Sequence, residues 1–273
     1  MTGAHAIRLL VSDVDGTLVD KQKHLTDATV AAVRRLEAAG IGFTIISARP
    51  RSGIMPLVEK LGLDVPVAAF NGGLIFKRDG WTGEHHVIDP TAARGTIAAA
   101  ADMAVDIWVF ARDRWYASTD QGVHVEHERV ASNQAPIVTQ DFDDLLDAAD
   151  KITFVTDDAA VMAAMRDRCR PFDAAATIAQ SQTYYLDVTA TEANKGAGIA
   201  ALAAAFDVTL ADTAAIGDQA NDLPMLTRAG HAIAMGNAPA EVQQAAHDVT
   251  LANDADGVAY AIDNLILSKE LTA

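Results

Sequence analysis

The chain is predicted to be an α/β protein, a doubly wound parallel sheet with an α+β module inserted into it. Three observations predict this. From Ile7 to Phe70 short, nearly continuous apolar runs alternate with helix-length segments, the same rhythm returns after Lys195, and between them the pattern becomes hairpin-like. Strands apolar on both sides belong to sheets covered by helices on both faces, which is the parallel arrangement. A rhythm that stops and later resumes marks an insertion.

The elements follow in order. A strand over Ile7 to Ser12 precedes a helix over Thr26 to Ala39, whose Val30, Val33 and Leu36 share one side and which ends before Gly40. Strand Phe43 to Ile46, a helix over Ile54 to Leu61 and strand Val67 to Phe70 complete the first half. The module has helices near Thr91 to Ala104 and Ala159 to Cys169. Its strands are Ile107 to Phe110, Trp115 to Ser118, Ile152 to Val155 and Tyr184 to Val188. After Lys195 come a helix to about Ala205, strand Thr213 to Ile216, helix Leu223 to Ala229 and strand Ala232 to Met235. Helices near Glu241 to Ala246 and Val258 to Ile266 follow. With junctions near Glu84 and Thr189, residues 1–84 and 189–273 form the core domain and 85–188 the inserted one.

Bulk properties narrow the functional class. At 273 residues, 50% hydrophobic and 21% charged, the chain has length for two domains with real cores and no extensive disorder. Its 21 basic against 37 acidic residues, net charge −16, lack the positive footprint that nucleic acid or an anionic membrane requires. The single cysteine, Cys169, excludes an internal disulfide and fits a reducing cytoplasm. The apolar start, interrupted by Arg8, is unlike a secretory signal, and no run approaches the ~20 residues of a membrane span. A cytoplasmic protein, monomeric or a small homo-oligomer, is expected.

The chemistry is expected where charge meets the ends of strands. Asp13-Val14-Asp15-Gly16-Thr17 follows the first apolar run directly. Carboxylates buried at a strand end are costly without a partner, so the segment implies a bound cation or a reaction. It is not a calcium loop, because loop position six would be Leu18 and position twelve His24. Three other segments put polar groups just after strands or at a helix start: Ser47-Ala48-Arg49, Asn194-Lys195, and Gly217-Asp218-Gln219-Ala220-Asn221-Asp222. Each alone also reads as a turn, a helix cap or a solvated lysine. Ligands of open parallel sheets bind outside the carboxyl ends of the strands, so the four together point to one site.

Other motifs fail on context. Gly196 to Ala201 matches a dinucleotide fingerprint, but the loop Thr189 to Lys195 separates it from its strand. The pairs His85-His86 and His124/His127 have no nearby cysteine and no helical His-Glu-x-x-His pattern, so they read as surface histidines.

These four segments resemble the four motifs of the haloacid dehalogenase-like superfamily. Phe70-Asn71-Gly72-Gly73, Ala234-Met235-Gly236-Asn237-Ala238 and Asp256-Gly257-Val258-Ala259 are similar to segments of its Cof-type phosphatases. The resemblance implies a Rossmann-like core, a type IIB cap at 85–188, and a phosphatase of small phosphorylated metabolites. Sugar phosphates come first, then pyridoxal phosphate or nucleotides. Ala48 stands where glycine is commoner, and Gln243-Gln244 where a lysine is common.

On that resemblance, Asp13 is the nucleophile, Asp15 the general acid and base, and Lys195 a fixed positive charge. Phosphoryl oxygens are held by Ser47, Lys195, Asn221 and backbone N–H groups of Val14 and Ala48. Mg2+ is assigned to Asp13, the Asp15 carbonyl and Asp218, with Gln219 and Asp222 on the same side. Substrate contacts are expected from Asn71 and, on the cap, Arg112, Arg114 and Trp115, with Trp108 and Tyr116 further candidates. Two alternatives stay open: a phosphomutase, whose second phosphate Arg112 and Arg114 would bind, and a non-catalytic phosphometabolite-binding regulator.

Overall fold

A computed structural model describes residues 6–268; the first and last five residues of the expected core ranges lie outside them. Two compact units form: Met1–Ala48, Met55–Glu84 and Asn194–Ala273 in one, Arg49–Ile54 and His85–Ala193 in the other. No helix among the described residues is long and apolar enough to cross a membrane.

In chain order the first half holds β1 (Leu9–Ser12), α1 (Asp27–Ala38), β2 (Gly42–Ile45), α2 (Arg51–Leu61), β3 (Val67–Ala69), β4 (Leu74–Phe76) and β5 (Thr82–His85). There follow α3 (Pro90–Ala99), β6 (Asp106–Ala111), β7 (Arg114–Ala117), α4 (Val125–Ser132), β8 (Ile137–Val138), β9 (Ala149–Val155), α5 (Ala159–Cys169), β10 (Thr177–Gln182) and β11 (Tyr185–Thr189). The chain closes with α6 (Lys195–Ala205), β12 (Thr213–Gly217), α7 (Leu223–Leu226), β13 (His231–Ala234), α8 (Ala240–Ala245), β14 (Asp248–Val249) and α9 (Gly257–Ala261).

The core sheet is parallel, in the order β14-β13-β12-β1-β2. All of β1 is buried, as a strand covered on both faces must be. Leu9 and Val11 join Ile199, Leu202 and Met225 in a cluster under α6 and α7. Strand order departs from β1 in both directions, so its carboxyl end is the switch point at which such sheets bind ligands. Helix starts are set by side-chain caps: Thr26 caps α1 and Asn194 caps α6.

The expected third core strand is present at the edge beside β2, but its regular ladder is with a hairpin partner. β3 pairs antiparallel with β4 in a three-stranded sheet and adjoins β2 through the parallel bridge Ile46↔Ala68, with Ser47 N donating to the Ala68 carbonyl at 3.0 Å. The left-handed turn at Phe70 and Asn71 folds the chain straight back into β4, so the run Val67 to Phe70 becomes half of a hairpin.

The inserted unit is a six-stranded sheet, β10-β11-β9-β6-β7-β8, antiparallel except between β7 and β8. One face packs Val109, Ile152, Phe154, Leu186 and Val188 against Ala92 and Ala93 of α3 and Met162 and Met165 of α5. The other presents Trp108 opposite Thr153, Thr153 opposite Asp187, and Phe110 opposite Trp115 and Lys151. β11 stays paired to Lys151 through its last residue, Thr189. Two elements had no periodic signal. Helix α4 buries Val125, Glu128 and Ser132 without an apolar stripe, and β10 has one buried residue, Ile178.

Candidate active site

The centre is the carboxyl end of β1. The Asp13 N–H donates to the Ile216 carbonyl at 3.0 Å, which continues the β1–β12 ladder by one residue before the chain turns. At Gly16, φ is +83° and a Cβ would overlap the Asp218 carboxylate, so glycine is required on both counts. Thr17 Oγ1 donates to Asp218 Oδ1 at 3.0 Å. Two backbones 201 residues apart in sequence are thereby held together beside Asp13.

Lys195 enters from the first residue of α6 and is fully buried. Its Nζ donates to Asp13 Oδ1 and to Asp222 Oδ1. Asp222 Oδ2 accepts from the N–H groups of Asp218 (2.8 Å) and Gln219 (2.9 Å), so both its oxygens are engaged. It anchors the lysine and the turn together. Close packing seats α6: a Cβ on Gly72, where φ is +102°, would lie 2.6 Å from the Gly198 Cα.

Electrostatics follow from burial. Desolvation raises the Asp13 pKa most; Lys195 opposes this and the charges of Asp222 and Asp218 add to it, leaving the group pushed up to about 8. Asp218 is raised for the same reasons, burial first and Asp222 second. Burial alone would lower Lys195, but the charges of Asp13 and Asp222 outweigh it and hold the ammonium protonated. One buried cation therefore stands among three buried carboxylates. Ligand oxygens of Asp13, Asp218 and Asp222 lie within 4.8 Å of one another, an all-oxygen set suited to a hard divalent cation and short of the positive charge one would bring.

The remaining expected residues are distributed as follows. Ser47 is buried two residues beyond β2, near the end of β1 by the Ser12↔Ile45 register, and its carbonyl accepts from Asn71 N at 2.7 Å. Ala48 follows it and Val14 follows Asp13, each in its strand-end turn. Asn71 is left-handed (φ 58°), and its buried Oδ1 has no hydrogen-bond partner among the described residues. Asn221 and Gln219 are exposed on the turn before α7, with Gln219 Nε2 donating to Asp218 Oδ2 at 3.1 Å. Asp15 pairs with Lys23, Nζ to Oδ1 at 2.6 Å.

On the inserted unit the expected contact residues stand as follows. Trp115 is fully buried, packed edge-on against Trp108 and stacked on Phe110. Successive strand residues point to opposite faces, so Arg114 cannot share a surface with Trp115. Arg112 Nη2 is bound to the Asp144 carbonyl at 2.8 Å.

Sequence reasoning missed Thr17, Asn237 and Lys23. Asn237 Nδ2 donates to the Gly16 carbonyl at 2.9 Å and lies 3.4 Å from Asp218 Oδ2, while its Oδ1 accepts from Asn253 N. The Met-Gly-Asn-Ala segment was visible, but its role was not; for Lys23 no sequence signal exists.

The haloacid dehalogenase-like hydrolase model matches residues 10–262. The 5-amino-6-(5-phospho-D-ribitylamino)uracil phosphatase of Bacillus subtilis is 25% identical over 285 residues, covering 95% of this chain and 98% of the relative. The HMP-PP phosphatase of Cronobacter sakazakii is 28% identical over 232 residues, 85% of each chain. A haloacid dehalogenase-like hydrolase from Bacteroides thetaiotaomicron superposes with a TM-score of 0.88 at 27% identity, covering 95% of this chain and 99% of that one. A family model spanning nearly the whole fold, with all four strand-end segments inside it, shows that the chain belongs to the haloacid dehalogenase-like hydrolases.

Proposed function

We propose that this phosphoric monoester hydrolase cleaves small phosphorylated metabolites, sugar phosphates foremost, through a phosphoryl group carried transiently by Asp13. The observation that carries the reading is the buried Asp13–Lys195–Asp222 pairing at the switch point of the parallel sheet, with Asp218 beside it. The named phosphatase of a phospho-ribityl compound among the relatives supports the substrate class.

The chain's own residues have these roles. An Asp13 carboxylate oxygen attacks phosphorus in line, and its O–P bond forms as the bond to the leaving oxygen breaks. Asp15 gives that oxygen a proton, then takes one from the water that attacks the phosphoryl group, releasing phosphate and restoring Asp13. Lys195 keeps a positive charge beside Asp13 through both steps. Ser47, Asn221 and the Val14 and Ala48 amides hold the phosphoryl oxygens. A bound Mg2+, held by Asp13, Asp218 and the Asp15 carbonyl, would neutralise charge so that an anionic nucleophile can meet an anionic phosphate. Asp222, with both oxygens already engaged, and Gln219 support that set from beside it.

Selection among esters is assigned to Asn71 and to the face of residues 85–188 that α3 and α5 leave uncovered. Lys151 and Asp187 are further polar candidates there, Asp187 Oδ1 accepting from Thr153 Oγ1 at 2.6 Å. Arg112 and Arg114, the pair a phosphomutase would use for a second phosphate, are exposed on the inserted unit, with Arg112 Nη2 donating to the Asp144 carbonyl at 2.8 Å.

The test is a phosphate-release screen over sugar phosphates, nucleotides and pyridoxal phosphate. Release that requires Mg2+ and is abolished by EDTA is expected. Isomerised sugar phosphate without release, or ligand-induced thermal stabilisation without either, overturns the reading.

A further inference from the structure

The segment between β1 and α1 is pinned more firmly than a connecting loop requires. Asn253 Nδ2 holds the Val19 carbonyl at 2.9 Å, and Lys21 Nζ holds Asp254. The Asp20 carboxylate accepts from the N–H groups of Gln22 (2.9 Å) and His24 (2.8 Å). Asp20 and His24 also pair through their backbones at 2.9 Å, and Lys23 N donates to the Asp20 carbonyl at 3.0 Å. All these bonds enclose Lys23, a non-glycine residue held at φ 65°. That conformation is disfavoured for a side chain of this length, and it persists only where surroundings impose it.

The imposed turn has one consequence for the site. It directs the Lys23 ammonium back eight residues onto Asp15 Oδ1, at 2.6 Å. Both side chains are partly exposed, at 34% and 36%, unlike the buried Asp13, Lys195 and Asp222. Lys21, two residues away and 67% exposed, is directed to Asp254 instead, so the two lysines of the turn are sorted rather than interchangeable. Lys195 cannot take the place of Lys23, because it is already shared by Asp13 and Asp222.

We propose that Lys23 is a positioning residue for Asp15. By holding Oδ1 it helps fix the orientation of the carboxyl group from which the leaving oxygen takes its proton. The proton passes from Asp15 to that oxygen as its bond to phosphorus breaks, the bonding pair staying with the leaving oxygen; Lys23 keeps all its protons. The proposal rests on the role given to Asp15 above and adds the residue that orients it.

Leaving-group chemistry isolates this role. An alkyl phosphate such as glucose 6-phosphate needs a proton on its departing oxygen, whereas 4-nitrophenyl phosphate departs as a stable phenolate. General acid catalysis contributes about 10²- to 10⁴-fold, so losing the orientation of the acid forfeits a measurable part of it. The experiment compares wild type, Lys23→Met and Lys23→Arg with enzyme in excess, following the first release of leaving group from each ester. For Lys23→Met an alkyl-ester rate lower by about tenfold or more is expected, against less than about threefold for 4-nitrophenyl phosphate. KM should be unchanged, and Lys23→Arg should recover most of the loss.

Equal losses on both esters, no loss on either, or a raised KM with unchanged kcat each overturn the proposal, the last by making Lys23 a phosphate contact. If the wild type releases nothing from either ester, the phosphatase reading itself fails and this one with it. Melting curves of both variants identify a folding defect, and recovery in Lys23→Arg decides the matter where Lys23→Met melts early.

Discussion

In the core unit the central strand runs into charge, whereas in the inserted unit the middle of the sheet is filled with rings. Asp13, Lys195, Asp218 and Asp222 are all at most 5% exposed at the carboxyl ends of β1 and β12 and at the starts of neighbouring helices. At the corresponding depth β6, β7 and β9 bury Trp108, Phe110, Trp115 and Phe154. Most charge in that second unit stays outside in exposed pairs, Arg94 with Asp143 and Asp147 and Arg166 with Asp173. Such pairs, open to water and screened by salt, contribute little to stability. A buried ion cluster is weak at stabilising and costly to build, so its presence marks the unit that carries chemistry. The ring-filled unit is built for packing.

The sharpest test of this contrast is Asp13→Asn. Removing the nucleophile should reduce phosphate release by at least about 10⁴-fold. Because it also removes a crowded buried carboxylate, the melting temperature should not fall. Activity near wild type, measured on pure protein, would break the comparison at its centre.

Metal comes next. EDTA should bring activity to background, and Mg2+ at about 100 times its Kd should stabilise the protein by about 2.7 kcal/mol, read as a rise in melting temperature. Asp218→Asn should lose that rise while a change confined to the ring cluster keeps it. A rise that survives Asp218→Asn would show that the cation binds elsewhere.

Truncating the ring cluster probes the other half. Trp115→Ala should cost about 3–5 kcal/mol, followed by urea unfolding, because a fully buried indole leaves a cavity behind. A midpoint shift of only a few tenths of a kcal/mol would mean that the ring is not part of a packed core.

The smallest effect is a pH dependence at the start of the inserted unit. His85 is raised above its ordinary 6.5 by its hydrogen bond to Asp150, with burial opposing and the charges of Asp150 and Asp113 adding. Asp150 is itself raised, chiefly by burial, but the 2.5 Å contact makes the histidine direction the one to stand behind. A group whose folded pKa is raised binds more protons folded than unfolded. Its stabilisation is therefore complete below about pH 6.5 and lost as pH rises through the folded value. His85→Ala should lower the urea midpoint at pH 5.5 and barely change it at pH 8.5. An equal drop at both would assign His85 to packing.

What could be read in advance differs between the units in the same way. Continuous apolar runs specified β1, β2, β12 and β13 to within a residue or two, because strands buried on both faces leave no room for polar residues. Helix α4 and strand β10 left no trace, since each meets the interior with one to three residues and is held by its neighbours. β3 was legible as a strand but not as half of a hairpin; the left-handed Phe70 and Asn71 that turn it back are not encoded by a glycine.

The site divides likewise. Asp13, Lys195, Asp218 and Asp222 were named from residue type and position after a strand or at a helix start, signals that reside in a few adjacent residues. That the Lys195 ammonium serves Asp13 across 182 residues, that Asp222 spends both oxygens as an anchor, and that Lys23 reaches Asp15 were decided by the tertiary structure alone. Local sequence sets which groups are available and which strand carries them. Which of them touch depends on sheet order, helix entry and turn geometry, and those are properties of the packed whole.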